Sequence, residues 1–498
     1  MTAERLSDPV IISIDQGTTS TRSVAFQLDG NTVATDNNFL RQVYPNHGWV
    51  EQSPEDIWNS VCSTLKSVIT RIGGPERVSA IGITNQRETT VLWDRKTGEA
   101  VHNAITWQDR RGAQICRDLE KSNYGEVIRE RTGLIPDSYF SATKIQWILE
   151  NDKNLRDRAE RGELAFGTVD TFLLWRLSNG AVHATDATNA SRTMIYDINR
   201  QCWDEELADI FGIPLNILPD VCDTAQAYGT TDADFFGARI PITALVGDQQ
   251  GALAGQFCFQ PGMAKCTFGT GAFVLLNTGA TPSVSENKLL TTVASQLDQK
   301  VTFALEGSVF NAGTVIQWLR DEAGFIDTAG DSAKLAASAA TSEVTFVPAF
   351  TGLGAPHWNP DARGAILGLT RNSSPADIVR AGLEAVCFQT HDLLSCMAAD
   401  TCQTLDILRV DGGMAENNWM LQFLADITGI PVERPTYLET TSQGAAVLAG
   451  IGAGLYESLS SAANTRRVDK IFEPQQSVDW RDSSVGRWHD AVKRINIA

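Results

Sequence analysis

The sequence predicts an α/β protein of two related domains that face each other, and three observations lead there. Residues 10–26 run as an apolar strand, a polar Gly-Thr turn and a second apolar strand, and the same order returns over residues 263–276 around Gly269-Thr270-Gly271. Elsewhere short apolar runs alternate with helical periodicities, as in mixed α/β folds. The turn signal Gln260-Pro261-Gly262 lies just before the second hairpin and divides the chain into residues 1–260 and 261–498. At 498 residues there is chain enough for two large domains.

Composition excludes several classes of function. Hydrophobic residues at 43% and charged residues at 20% are those of an ordinary globular protein. No apolar run approaches the roughly 18 residues of a membrane span. Residues 1–8 are polar, without the apolar core of a secretion signal. Nine cysteines with no Cys-x-x-Cys pair argue for reduced thiols in a cytoplasmic enzyme, not a disulfide or zinc framework. The net charge of −19, without a basic patch, argues against a nucleic-acid partner and against an anionic membrane surface. Any bound anion is held by local geometry against the overall field.

In the first half, residues 10–14 read as a buried strand that stops at Asp15. The connection that follows holds Gly17 and the hydroxyls of Thr18, Thr19, Ser20 and Thr21, then Arg22. Apolar residues resume at Val24, too soon for a helix, so the segment is a hairpin. Its turn is either an ordinary polar turn or an anion cradle of N–H and O–H donors, with Asp15 placed to hold a water-bound Mg²⁺. Residues 31–52 supply further strands. Ser53 caps a helix over roughly residues 54–71, with Pro54 in its first turn and Ile57, Val61, Leu65 and Val68 on its core face. The strand at residues 78–84 leads into Asn85-Gln86-Arg87-Glu88-Thr89-Thr90. Side chains alternate along extended chain, so Arg87 and Glu88 reach one ligand only if the backbone bends. They are a solvated charge pair or a clamp for a hydroxylated substrate, arginine donating and carboxylate accepting. Trp107, in Trp107-Gln108-Asp109-Arg110, is core or the apolar wall of such a site, and Tyr139 precedes a helix begun by Ser141. Residues 186–192 read as a polar loop. Residues 242–247 form a buried strand with Asp248 at its mouth, as an N-cap or as a base for a substrate hydroxyl.

In the second half, residues 306–313 end a strand and open a helix over residues 314–320, with Gln317 one turn inside. A long helix spans residues 378–397, its Glu384 and Gln389 at the surface or an interface. The strand at residues 407–411 is followed by Gly412-Gly413, where backbone can approach a flat ring and sugar closely. Residues 441–450 form a small-residue helix fit for close packing, and the tail from Tyr456 reads as surface helix. Two Gly-Thr hairpins, one opening each half, suggest that the domains face each other across a nucleotide. No Gly-x-x-x-x-Gly-Lys-Ser/Thr occurs, which excludes Walker-type kinases.

Taken together, Asp15-Gln16-Gly17-Thr18-Thr19-Ser20-Thr21-Arg22, Asn85-Gln86-Arg87-Glu88-Thr89, Trp107-Gln108-Asp109-Arg110, Gly247-Asp248-Gln249, Phe268-Gly269-Thr270-Gly271 and Asp411-Gly412-Gly413 resemble the FGGY family of carbohydrate kinases, in family order from about residue 10 to 455. The hairpins are shared across the actin/Hsp70-type ATPases, whereas the Arg-Glu and Trp-Gln-Asp-Arg stretches are narrower and similar to those of the family's glycerol-phosphorylating members. The resemblance implies a ribonuclease-H-like α/β domain on each side of a catalytic cleft, the first mainly for polyol and the second mainly for MgATP. It implies that Arg87, Glu88, Trp107, Tyr139, Asp248, Gln249 and Phe273 surround glycerol, with Asp248 as general base. Thr18, Thr19, Ser20, Arg22 and Thr270 would meet phosphates, Gly313, Gln317, Gly413 and Asn417 would line the adenosine end, and Asp15 would act on Mg²⁺ through water. The implied products are sn-glycerol 3-phosphate and ADP, at the first step of glycerol catabolism, in a cytoplasmic homodimer or homotetramer. A sibling kinase for another polyol or ketose is the alternative. Some family members carry a phosphorylated histidine where this chain has Ala225-Gln226-Ala227-Tyr228-Gly229-Thr230-Thr231, so no activation by that route is expected. Gly237-Ala238-Arg239 is loosely similar to the family's fructose 1,6-bisphosphate motif, but the preceding Phe235-Phe236 departs from it.

Overall fold

β1 (Val10–Gln16) and β2 (Ser20–Gln27) pair as the first hairpin, with Asp15 opposite Arg22 and Gln16 opposite Thr21. The computed structural model describes residues 9–339, 343–359 and 361–496, so the polar residues 1–8 read above lie outside it. β1 continues two residues past its apolar run because the ladder to β2 keeps Asp15 and Gln16 extended. β3 (Thr32–Phe39) adds antiparallel to β2, and α1 (Pro54–Ile72) follows. Ser53 Oγ accepts from the Asp56 N–H at 3.1 Å, the expected cap, an interaction that stabilises a helix by about 1 kcal/mol. β4 (Val78–Asn85), α2 (Ser141–Asn151), β5 (Ala225–Thr230), β6 (Pro241–Gly247) and α3 (Asp248–Gly255) complete the main elements of the first half. The sheet order is β5-β6-β4-β1-β2-β3.

The second half contributes β7 (Ala264–Phe268), β8 (Ala272–Gly279), β9 (Leu290–Leu297), β10 (Lys300–Val309), α4 (Gly313–Asp321), α5 (Pro375–Thr401), β11 (Leu408–Asp411), β12 (Val432–Pro435), α6 (Thr440–Gly452), β13 (Val468–Phe472) and α7 (Val478–Ile495). Its sheet runs β9-β10-β8-β7-β11-β12-β13. Apart from β9 the two sheets share one plan. Each has three antiparallel strands, two parallel strands added beside the first, and an antiparallel strand at the far edge. The duplication read from two hairpins therefore extends through both sheets.

β1 explains the layering. Val10, Ile12 and Ile14 pack against Ile57, Val61, Leu65 and Val68 of α1, while Ile11 on the other face packs against Ala445, Leu448 and Ala449 of α6. A strand buried on both faces reads as a continuous apolar run. The helix covering the second face comes from the far half of the chain. In exchange, Leu253 of α3 packs into the second sheet against Leu275, Ala294 and Ala304. Where α3 and α6 cross, a Cβ at Gly444 would lie 1.8 Å from the Gly251 carbonyl oxygen, and one at Gly255 would lie 1.9 Å from that of Thr440. Small residues are required because backbone meets backbone. Gly444→Ala is expected to cost at least the ~1–3 kcal/mol of an overpacked core and to show as a lower urea midpoint for unfolding.

Three expectations need correction. Glu384 is buried, 5% exposed, not at the surface, because Arg380 Nε donates to it at 2.7 Å one turn away. Residues 186–192 are buried, with Asp186 capping the short helix Ala187–Ala190. The tail holds β13 as well as helix, since its exposed edge position removes the apolar alternation that marks a strand. Among the described residues no helix is long and apolar enough to cross a membrane, and all nine cysteines are free thiols.

Candidate active site

The bend required at Arg87-Glu88 is present. Beyond the end of β4, Glu88 takes φ of +60°, and the Thr89 N–H donates to the Arg87 carbonyl at 2.7 Å. Left-handed backbone is costly for a residue with a side chain and persists where the surroundings enforce it. Both side chains are buried, at 2% and 1% exposure, so they are not a solvated pair.

Neither partners the other. Arg87 donates from Nη1 to Glu306 Oε2 at 2.5 Å, from Nη2 to Glu306 Oε1 at 3.1 Å, and from Nη1 to Gln250 Oε1 at 3.3 Å. Its Nε faces Asp248 Oδ1 at 3.1 Å. Glu88 Oε1 accepts from Arg192 Nε at 2.7 Å, and Arg192 Nη2 donates to Glu306 Oε1 at 2.9 Å. The result is an alternating chain of charge, Glu88–Arg192–Glu306–Arg87–Asp248, buried as far as Arg87 and ending at Asp248, whose side chain is 28% exposed. Sequence reasoning missed Glu306, Arg192 and Lys265 as site residues. Two of them left a signal. Glu306 follows the apolar run Phe303-Ala304-Leu305 in β10 and Lys265 lies between Ala264 and Cys266 in β7, and a charge buried inside a strand must find a partner. Lys265 Nζ donates to Gln249 Oε1 at 2.5 Å and to Thr267 Oγ1 at 2.9 Å.

Aromatic rings stand beside this chain. Trp107 meets Tyr139 edge-on at 5.6 Å and Phe273 at 6.5 Å between centroids, and Arg192 lies 5.7 Å from the Tyr139 ring. Trp107 Nε1 donates to Thr18 Oγ1 at 2.8 Å, which sets the first hairpin turn against the aromatic wall. Buried Lys144, in the first turns of α2, donates to the carbonyls of Tyr139 at 2.5 Å and Phe140 at 3.1 Å.

Charge states follow from burial and pairing. Burial alone would raise Glu306, but the guanidiniums of Arg192 and Arg87 outweigh it and bring the carboxyl to about 2. Burial raises Asp248 above the usual carboxylate range, with Arg87 opposing. Burial likewise pushes Asp15 up to about 6, against a hydrogen bond from Ser442 and the nearby charge of Arg22. That bond runs from Ser442 Oγ on α6 to Asp15 Oδ2 at 2.9 Å.

Each Gly-Thr turn is closed by its glycine N–H, over three residues in the first and two in the second. The Gly17 N–H donates to the Ser20 carbonyl, and the Gly269 N–H to that of Gly271, each at 2.9 Å. The start of α4 packs onto the second turn through Gly313 N–H to Gly269 at 3.0 Å, with no room for a Cβ on Gly313. β7 and β11 are parallel neighbours with Thr267 opposite Asp411, so the Gly269 turn and Gly412-Gly413 share one end of the sheet. Thr270, Gln317 and Gly413 are exposed and Gly313 is half-buried, while on the first hairpin turn Thr19 is exposed and Thr18 and Ser20 are half-buried. Asn417 caps the helix that follows, accepting from the Met420 N–H at 3.0 Å. Arg22 pairs with Glu439 at 2.5 Å, just before α6.

The model of the FGGY family of carbohydrate kinases, N-terminal domain, matches residues 10–255, and that of the C-terminal domain matches residues 264–453. The chain belongs to the FGGY family of carbohydrate kinases. Among curated relatives, "Glycerol kinase" of Alteromonas mediterranea is 52% identical over 491 residues, 98% of this chain and 99% of that protein. "Glycerol kinase" of Methylobacterium nodulans is 51% identical over 488 residues, 97% of each chain. Among solved structures, Plasmodium falciparum glycerol kinase with ADP superposes with a TM-score of 0.92 at 36% identity, covering 99% of both chains. A gluconate kinase from Lactobacillus acidophilus, at 22% identity and a TM-score of 0.89, shares the fold. The enzyme is thus a kinase of the two-domain carbohydrate-kinase fold.

Proposed function

We propose that this enzyme transfers the γ-phosphoryl group of ATP to a terminal hydroxyl of glycerol, giving sn-glycerol 3-phosphate and ADP, and that it does so in the cytoplasm. The observation that carries the reading is the buried chain of charge ending at Asp248, walled by Trp107, Tyr139 and Phe273. A small triol offers little apolar area, so its selection depends on several oriented hydrogen bonds, and a competitor lacking one hydroxyl leaves a charged partner unsatisfied. Arg87 donates to the polyol, Glu88 accepts from it, and the Tyr139 hydroxyl completes the set, with Gln249 beside them. Trp107 and Phe273 flank the carbons. Asp248 accepts the proton of the attacking hydroxyl.

In phosphoryl transfer the protein mainly positions an in-line pair and neutralises charge, and holding both reactants can lower the barrier by about 7–11 kcal/mol. The hydroxyls of Thr18, Thr19, Ser20 and Thr270 donate to phosphate oxygens, and Arg22 exchanges Glu439 for phosphate. Gly313, Gln317, Gly413 and Asn417 line the adenosine end. The chemistry at Asp15 fits a water-bound Mg²⁺, since among the described residues its half-buried carboxylate has Ser442 as its one side-chain donor. When bound, Mg²⁺ neutralises charge on the transferred group. Reduced cysteines support the cytoplasmic setting, and assembly as a homodimer or homotetramer is part of the same proposal.

ADP release with MgATP, measured over glycerol, xylulose, ribulose, gluconate and no acceptor, tests the reading. Strong stimulation by glycerol alone is expected. Preference for a ketose or gluconate would overturn the substrate while leaving the kinase class intact.

Tyr139 also gives the site a pH dependence through Lys144. Burial brings that ammonium from 10.5 to about 8, although Glu88, Asp109 and Asp137 favour its charge. As pH rises through about 8 the carbonyls of Tyr139 and Phe140 lose their cation, so the KM for glycerol is expected to climb. Unfolding does not account for such a climb. The unfolded chain binds the additional proton between about 8 and the unperturbed ~10.4, so this group makes the fold more stable as pH rises there. Lys144→Met is expected to show the raised KM at every pH.

A further inference from the structure

Glu306 makes no polyol contact in the proposal above, yet it binds more of the site than any other carboxylate. It projects from β10 of the second sheet, is 1% exposed, and gives both oxygens to guanidiniums of the first half. Oε2 accepts from Arg87 Nη1 at 2.5 Å, and Oε1 accepts from Arg87 Nη2 at 3.1 Å and Arg192 Nη2 at 2.9 Å.

The consequence falls on Asp248. Arginine pairs carboxylates by preference through two parallel N–H bonds. Arg87 makes that two-pronged contact with Glu306 and turns only Nε toward Asp248, at 3.1 Å. A carboxylate gripped by both prongs of a guanidinium is a weaker base, because each added hydrogen bond to the charged form favours it. We propose that Glu306 is a positioning residue which engages both terminal nitrogens of Arg87, leaves Asp248 only one contact from that guanidinium and so keeps Asp248 basic enough to take the proton of the attacking hydroxyl. This rests on the reading of Asp248 as base.

The surroundings of Asp248 agree. It faces Arg87 from the end of β4, Lys265 from β7, Glu306 from β10 and Asp15 from β1, and the Gln249 N–H donates to its Oδ1 at 2.7 Å. Arg87, the Gln249 N–H and Lys265 draw its proton off, whereas burial and Glu306 help retain it. Glu306 therefore acts on Asp248 twice, by its own charge and by what it withholds from Arg87. Through Arg192 it also orients Glu88.

The test is the pH profile of kcat/KM for glycerol at saturating MgATP, for the wild type, Glu306→Gln and Glu306→Asp. In Glu306→Gln the acidic limb is expected to move to lower pH, and the plateau to fall about tenfold or more as the base weakens. Glu306→Asp keeps the charge but is too short to hold both arginines, and its limb is expected to lie between the other two. It carries the test should Glu306→Gln not fold. A lowered plateau with an unmoved limb in the folded variants would mean that Glu306 only supports the structure, and would overturn the proposal. Should the wild type respond to another polyol and not to glycerol, the substrate reading fails separately, and the same limb is read with that polyol.

Discussion

Asp248→Asn is expected to lower kcat about 10²–10⁴-fold, the usual contribution of a general base, while the affinity for ADP stays within a few-fold. The substitution isolates basicity. Asparagine keeps the size of the side chain and an oxygen able to accept from Arg87 Nε, now at 3.1 Å. The backbone is held independently, because the Gly247 N–H donates to Thr188 Oγ1 at 2.9 Å. Steady-state kinetics with glycerol and MgATP, together with ADP titration calorimetry, separate the two effects. A kcat within tenfold of wild type would remove Asp248 from the role of base.

Arg87→Ala is expected to damage stability and binding together. The guanidinium lies between Glu306 and Asp248, 2% exposed, and removing one partner of a buried ion pair costs about 3–5 kcal/mol. Arg192 continues to hold Glu306, which places the expected loss toward the lower end. Glu306 has its carboxyl at about 2, below the ordinary 4.5. A depressed carboxylate stabilises the fold fully above the unfolded value and loses that contribution as pH falls through the folded one. The gap between wild type and variant in urea unfolding is therefore widest near neutral pH and narrows in acid. The KM for glycerol is expected to rise as well, since the donor proposed for the polyol is gone. Arg87→Lys is not expected to rescue either property, because an ammonium cannot hold Glu306 by two prongs and Asp248 by a third N–H. A variant with unchanged urea midpoint and KM would contradict the account of the buried chain.

What could be read from the sequence was local. The two hairpins were legible because a strand, a Gly-Thr turn and a strand are contiguous, and their recurrence revealed the duplicated sheets. The bend at Glu88 was legible because two adjacent side chains cannot otherwise share a ligand, and Asp248 because it ends an apolar strand. The small-residue character of residues 441–450 announced close packing but not against what. The partners proved to be Gly251 and Gly255 of α3 and Gly82 of β4, in the other half of the chain.

The sequence alone determined the α/β class, the duplication and one end of the candidate site. Only the tertiary structure decided which charges complete it. Arg87 and Glu306 are 219 residues apart, and Glu88 and Arg192 are 104 apart. A buried ion pair leaves no periodicity in either segment, because its stabilisation arises only when both charges leave water together and each has the other as partner. Backbone preference acts between neighbours along the chain and can be read there, whereas charge compensation acts between neighbours in space and exists only once the two sheets face each other.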